Sequence, residues 1–328
     1  MYTHAINKVI NDLKDYSRSQ GRVLTDAQTA FVATELSQIL PKTLEKRYPA
    51  LRGREFVSLD GSYPSGAEVY YKKVYDRKGL AQIGADPNTQ LPNLSVVADS
   101  LTIYPFEVSG FYAFTMRELE SAALAQVPLE TIKAENARLQ IETAIDSIIA
   151  VGGTQRDGST VTSQTGLLNN ANVGQFTFQN DPWGSASAAQ VLADLSAFAS
   201  SVFVDSKTAF SANRVLLSPR VYQFLAQTPY STVTGQSILS NFKENFGFPV
   251  TVDAWYKLED FHGDGYDAAV VYDDNQDVVS FGNPVPYQEV SPQFVDLTMK
   301  VAVRSVVTPP VVTAPIGMKY GIIPTLGM

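Results

Sequence analysis

The 328 residues include two histidines, His4 and His262, and no cysteine. His262 stands in "DFHGDGYD" beside Asp260 and Asp264, a grouping that could hold a divalent cation. The same residues make a Gly/Asp turn between strands, and this is the commoner use of such a stretch. "YDDNQD" (272–277) offers carboxylates but lacks the spacing and closing Glu of a calcium loop, so it reads as a hairpin turn. "GTQRDGS" (153–159) resembles a phosphate loop superficially, yet it has no Lys and follows a helix where that motif needs a strand. No Gly-x-Ser-x-Gly elbow occurs. Nothing among the 33 Asp and Glu residues selects a pair for glycoside hydrolysis. Without thiols there is no disulfide, no thiolate catalysis and no Cys-based zinc site. The sequence therefore assigns no catalytic, cofactor-binding or metal-binding residue, and no cofactor is expected.

What the chain does have is adhesive surface chemistry. Hydrophobic residues make up 45% and charged residues 18%, with 16 Tyr and 17 Phe. Tyr is enriched in interfaces, and low charge with many aromatics suits a large protein contact area. The net charge of −8 is unevenly spread: residues 1–54 carry nine Lys/Arg against five Asp/Glu, and residues 253–296 carry ten Asp/Glu against one Lys. Opposite charge at separate places can guide head-to-tail contacts between copies, although charge runs are more often solvated faces. An acidic chain argues against non-specific nucleic-acid binding. No basic-then-apolar leader opens the sequence and no run of eighteen apolar residues occurs, so neither a signal peptide nor a membrane span is expected.

Residues 1–24 read as an arm. Thr25 or Asp26 can cap a helix through Leu40, which Pro41 ends. "KRYPALRGREFVSLD" (46–60) is extended and basic, closing in a short strand. "SLTIYPFEVSGFYAFTM" (100–116) is strand-like and aromatic. "TMRELESAALAQ" (115–126) is helical. Residues 128–153 form a long helix with Pro128 in its first turn and a stripe of Ala137, Ile141, Ala144, Ile145 and Ile148. Residues 152–174 read as loop. Helices over 185–204, 220–227 and 237–246 alternate with strands at 214–219, 249–258, 268–273 and 278–282, which suggests an α/β layer unit. Residues 295–323 alternate like long antiparallel strands broken at Pro309–Pro310.

"GAEVYYKKVYDRKGLAQIGADPN" (66–88) is the unusual stretch. As a strand it points Tyr71, Lys73 and Tyr75 one way and Tyr70, Lys72 and Val74 the other. Both faces mix aromatic and charged groups, so neither is an ordinary core face. Together with the arm, the long helix and the aromatic surface, it suits self-assembly.

Three motifs carry a resemblance. They are Tyr48, Pro49, Leu51, Arg54 and Asp60; Tyr75, Asp76, Arg77, Gly79 and Ala81; and Gly166, Leu167, Leu168, Asn169, Asn172 and Val173. In this order the chain resembles the major capsid proteins of tailed bacteriophages, whose Hong Kong phage-type fold encapsulins share. The resemblance runs from about residue 30 to the C-terminus. It implies an α+β fold in five parts: an N-terminal arm (1–57), an extended loop (58–95), a peripheral domain with a spine helix (96–182), an axial domain (183–296) and C-terminal strands returning to the peripheral domain (297–328). It implies inter-subunit contacts through Tyr70, Tyr71, Lys72, Lys73, Tyr75, Arg77 and Lys78, the tyrosines burying area and the cations meeting acidic groups. Some members cross-link a loop Lys, but none of Lys72, Lys73 and Lys78 aligns with that position. The implied partners are the chain itself in pentamers and hexamers, a portal protein, scaffolding or decoration proteins, and enclosed DNA bound without sequence specificity, with no membrane. The implied place is the virion, after assembly in the host cytoplasm. Two alternatives are an encapsulin-like shell around a cargo enzyme and, from another class, a carbohydrate-active enzyme with unidentified carboxylates.

Overall fold

The computed structural model describes residues 49–79, 93–125, 129–157, 160–180, 182–231, 235–261, 265–324 and 326. The expected arm helix, His4, Ala81 and the rest of 80–92, Pro128, His262 and Asp264 lie outside them. The chain divides after Pro49, and everything below concerns the unit Ala50–Met328.

A single 3-10 turn, Gly53–Glu55, leads into β1 (Ser58–Asp60). Next come β2 (Tyr70–Lys78) and β3 (Ser95–Ile103). Tyr104 and Pro105 then separate β3 from β4 (Phe106–Thr115), because proline has no N–H to continue a ladder. The aromatic stretch, expected to be strand-like, is made of two strands. Thr115 and Glu118 cap α1 (Met116–Ala125) reciprocally: the Glu118 N–H donates to Thr115 Oγ1 at 3.2 Å, and the Thr115 N–H to Glu118 Oε2 at 3.0 Å. The long helix α2 (Leu129–Val151) has 23 residues, a rod of about 35 Å.

The connection expected as loop contains a hairpin, β5 (Gly153–Asp157) with β6 (Thr160–Gln164), before β7 (Gly174–Phe176). Ser187 and Gln190 form a capping box at the start of α3 (Ala188–Asp205). Then follow β8 (Arg214–Leu217), α4 (Pro219–Gln227) capped by Ser218, α5 (Ile238–Asn245) capped by Ser237, and β9 (Thr251–Ala254). The remaining strands are β10 (Ala268–Tyr272), β11 (Val279–Gly282), β12 (Val285–Glu289), β13 (Gln293–Val295), β14 (Thr298–Val307), β15 (Val311–Val312) and β16 (Met318–Ile322).

These elements make an α+β fold. A mixed five-stranded sheet runs β7-β16-β10-β8-β9. Trp183, Leu195 and Phe198 are buried with Val215, Leu217 and Val271 of its strands and with Val221 and Ile238 of α4 and α5. Among the described residues α3 is the one helix long and apolar enough to cross a membrane, and its Val191, Leu195, Phe198 and Val202 are spent on this core. A second sheet centres on β14, paired along its length with β4 and on its other side with β12 and β13. Helix α2 joins the core beside this sheet, with Ile141, Ile145 and Ile149 clustered with Phe106, Val303 and Val307. A third, small sheet runs β1-β11-β15. The C-terminal segment thus divides: β14 pairs with β4, while β16 enters the five-stranded sheet between β7 and β10.

Candidate inter-subunit surface

The β2–β3 hairpin registers Tyr70 with Ile103 and Lys78 with Ser95, an antiparallel ladder nine residues long. Cross-strand partners share a face. One face therefore carries Tyr71, Lys73, Tyr75 and Arg77 opposite Thr102, Ser100, Ala98 and Val96; the other carries Tyr70, Lys72, Val74, Asp76 and Lys78 opposite Ile103, Leu101, Asp99, Val97 and Ser95.

The two faces have different fates. At the base of the second, Tyr70, Ile103 and Val311 form a small buried cluster, with Tyr63, Ala67 and Leu101 against it. The Tyr63 and Tyr70 rings meet edge to face at 4.9 Å, and the Tyr70 hydroxyl donates to the Pro64 carbonyl at 2.6 Å. Burial raises the pKa of both phenols. Lys72 Nζ donates to Ser280 Oγ of β11 at 3.3 Å. Tyr70 and Lys72 thus turn toward their own subunit. The first face is open throughout, with Tyr71 69% and Tyr75 64% exposed. Toward the tip, Asp76, Arg77 and Lys78 are exposed on both faces. Among the described residues Lys73, Arg77 and Lys78 have no ion-pair partner.

The motif residues before and after the hairpin make their contacts within the body of the subunit. Arg54 Nε lies 3.1 Å from Glu142 Oε2 on α2. Asp60 Oδ1 accepts the Ser62 N–H at 2.9 Å, closing the turn after β1. Burial works against the Asp60 charge, but the bonds from Ser62 outweigh it and the pKa is lowered. Beside Arg54, the Gly53 N–H donates to Asp146 Oδ1 at 2.8 Å. Gly166, Leu167, Leu168 and Asn169 close the C-terminal end of α2. The Leu167 and Leu168 N–H groups donate to the Ile149 and Ala150 carbonyls, and Asn169 Nδ2 donates to the Val151 carbonyl at 2.9 Å. Carbonyls of the last helical turn otherwise have no partner within a helix.

The carboxylates considered for chemistry are structural. Asp260 Oδ1 accepts the Gly265 N–H at 2.7 Å, and Asp273 Oδ2 accepts the Ser211 N–H at 3.3 Å. Asp274 pairs with Arg214 at 2.9 Å and accepts the Ser58 hydroxyl. Asp253 pairs with Arg52, and Asp267 with Arg220. Much of the acidic surplus of 253–296 is therefore consumed inside the fold. Among the described residues no group of three or more His, Asp or Glu could hold a metal ion.

Residues 79–321 match the family model of the major capsid protein. The chain belongs to that family. Its role is structural, as a subunit of a virion capsid. The fold of this major capsid protein is also that of the capsid of Myoviridae phage XM1, with a TM-score of 0.78, 18% identity, and 89% of this chain and 98% of that one covered. Mycobacterium phage Ogopogo gives 0.60 at 13% identity over 92% of this chain and 99% of that one. The capsid of a native GTA particle gives 0.60 at 12% identity, covering 92% and 100%. No curated protein matches the chain.

Proposed function

We propose that this capsid protein assembles head to tail, with the β2–β3 hairpin of each copy laid on a neighbour, into pentamers and hexamers that close as an icosahedral shell around double-stranded DNA. The observation that carries the reading is the open face of Tyr71, Lys73, Tyr75 and Arg77 on a hairpin whose other face is anchored at its base. Two large aromatics and two cations on one nine-residue strand form a surface that wants an apolar and acidic partner. Heterologous contacts of this kind close into rings.

In this arrangement residues 1–57 serve as the arm and 58–95 as the extended loop. Helix α2 is the spine of a peripheral domain (96–182), and α3, α4 and α5 with β8, β9 and β10 are the core of an axial domain (183–296) crowding the five-fold and six-fold axes. The strands of 297–328 tie the two domains together. Tyr71, Lys73, Tyr75, Arg77 and Lys78 make the contact with the neighbour. Tyr70 and Lys72 set the hairpin's angle. A portal protein and scaffolding or decoration proteins join the shell, which forms in the host cytoplasm without a membrane.

Electron microscopy of the purified protein tests this directly. Shells of uniform diameter are expected, and a monodisperse monomer at high concentration would overturn the proposal. Shells isolated with a protein cargo and no DNA would favour the encapsulin-like alternative.

A further inference from the structure

Leu168, Val173, Phe261, Ala268, Val270 and Ile322 surround a cavity of about 400 Å³. Its floor is one face of the five-stranded sheet. Gln175, Tyr320 and Val270 stand side by side on β7, β16 and β10, and Ile322 lies opposite Ala268 in the next row. Cross-strand neighbours share a face, so these five side chains make one surface. The wall is the segment that follows α2, from Leu168 to Val173. That wall is fixed before anything binds. The Leu167 and Leu168 N–H groups donate to carbonyls of the last turn of α2, and the Val173 N–H donates to the Asn170 carbonyl at 3.2 Å. The Tyr320 hydroxyl reaches up from the floor, donating to the Leu167 carbonyl at 2.6 Å and accepting the Asn170 N–H at 3.1 Å.

The lining chemistry selects what can enter. Among the described residues no charged side chain lines the cavity. A charge placed there would find no counter-ion, which is costly. The Tyr320 hydroxyl already donates and accepts, and the Asn169 amide is spent on Gly166 and Val151. Asn170 Oδ1 accepts the Asn172 N–H at 3.0 Å. Among the described residues the Asn170 Nδ2 and the Gln175 amide are left without partners. A preformed, mostly apolar cavity of this size with a few free polar groups has the form of a small-molecule site.

We propose that this cavity binds a small neutral molecule with one or two rings and a carbonyl oxygen. The rings lie against Tyr320, Val270 and Ile322, and the carbonyl accepts from the Asn170 or Gln175 amide. The site belongs to one subunit and needs no neighbour, so it is independent of how copies assemble. Its occupant braces the segment that closes α2 against β16 and β10, and so stabilises the subunit. Little binding energy is lost to ordering, because the wall is already held by backbone bonds.

N-Benzylbenzamide, two rings about one neutral amide, is the probe. Saturation-transfer NMR with the full-length protein should show both rings in contact. At a hundredfold excess over Kd the probe should raise the unfolding temperature by about 5 °C. 4-(Benzylcarbamoyl)benzoate, the same skeleton with a carboxylate, should bind at least about tenfold more weakly. Ala171→Trp and Gln175→Trp each put an indole at an exposed position on the rim. Either variant, folded by circular dichroism, should lose the saturation transfer, and Leu124→Trp at an exposed position on α1 should keep it. A diazirine derivative of the probe should label peptides containing 166–175 or 318–322, which locates the site even if both rim variants misfold. No transfer with the parent protein, equal binding of the carboxylate, transfer that survives in a folded rim variant, or labelling elsewhere overturns the proposal.

Discussion

The Gly53 N–H donates to Asp146 Oδ1 at 2.8 Å across 93 residues, tying the segment before the hairpin to the C-terminal part of the long helix. Asp146 is 2% exposed, and its other oxygen accepts the Tyr256 hydroxyl at 3.0 Å. One buried carboxylate therefore joins three parts of the chain. A side chain on residue 53 would place a Cβ 2.6 Å from Asp146 Oδ1, so glycine there lets the two segments approach.

Asp146→Ala strands the Gly53 N–H and the Tyr256 hydroxyl together. The expected loss is about 2–4 kcal/mol, since each buried donor forfeits its partner. Asp146→Asn keeps an acceptor for Gly53 and should cost less. Urea unfolding of the unassembled subunit checks both, and equal stability of Asp146→Ala and the parent would show that the carboxylate is not the tie described.

Gly166→Ala is expected to be worse. Its Cβ would fall 2.4 Å from Gly152 N and 2.5 Å from the Ala150 carbonyl oxygen, both backbone atoms that cannot swing away. Asn169→Ala leaves that backbone intact but removes the bonds to Val151 and Gly166, a loss of about 1–2 kcal/mol. The order of soluble yield should be parent, Asn169→Ala, then Gly166→Ala, and a different order would count against the helix-closing role.

These two sites also show how far the sequence reaches. The stripe of Ile141 and Ile145 on α2 is legible because core-facing residues repeat at helical spacing, and it continues to Ile149. Asp146 beside it reads as a solvent-facing charge, because its partners lie 93 and 110 residues away. The hairpin's strand character and mixed faces are legible in "YYKKVYDRK". Which face docks on the body is not, since the anchors of Tyr70 and Lys72 include Val311 and Ser280, the latter 208 residues distant. The hairpin β5–β6 is hidden by its Gly, Ser and Thr content, which reads as loop.

Alkaline pH should unfold the subunit through its buried phenols. Burial pushes Tyr272 well above its ordinary value of 10.0, raises Tyr256 and Tyr320, and lifts Tyr287 to about 12. A phenol with a raised folded-state pKa contributes fully below its unfolded value. That contribution is lost as pH rises through the folded value. Stability should therefore be flat below about pH 10 and fall between there and about pH 12. Circular dichroism and tyrosinate absorbance should change together in that window. Tyr272→Phe removes one titrating group and a bond to the Phe56 carbonyl, so it should be less stable at neutral pH yet lose stability less steeply above pH 10.

Trypsin offers a test of how the hairpin is divided between its own subunit and its neighbour. Two strands alone are at best marginally stable in water, and here the anchored part ends near Lys72 and Val74. In unassembled protein, cleavage after Arg77 and Lys78, both exposed and unpaired among the described residues, should precede cleavage after Lys133 and Arg138 on α2. Lys72, held to Ser280, should be cut later than Arg77. In shells the same Arg77 and Lys78 bonds should be protected, because a neighbour covers them. Mass spectrometry of timed digests reads all five sites. Equal rates at Arg77 in subunit and shell would mean that no neighbour covers this face, and first cleavage on α2 would mean that the helix, not the hairpin tip, is the least protected part of the subunit.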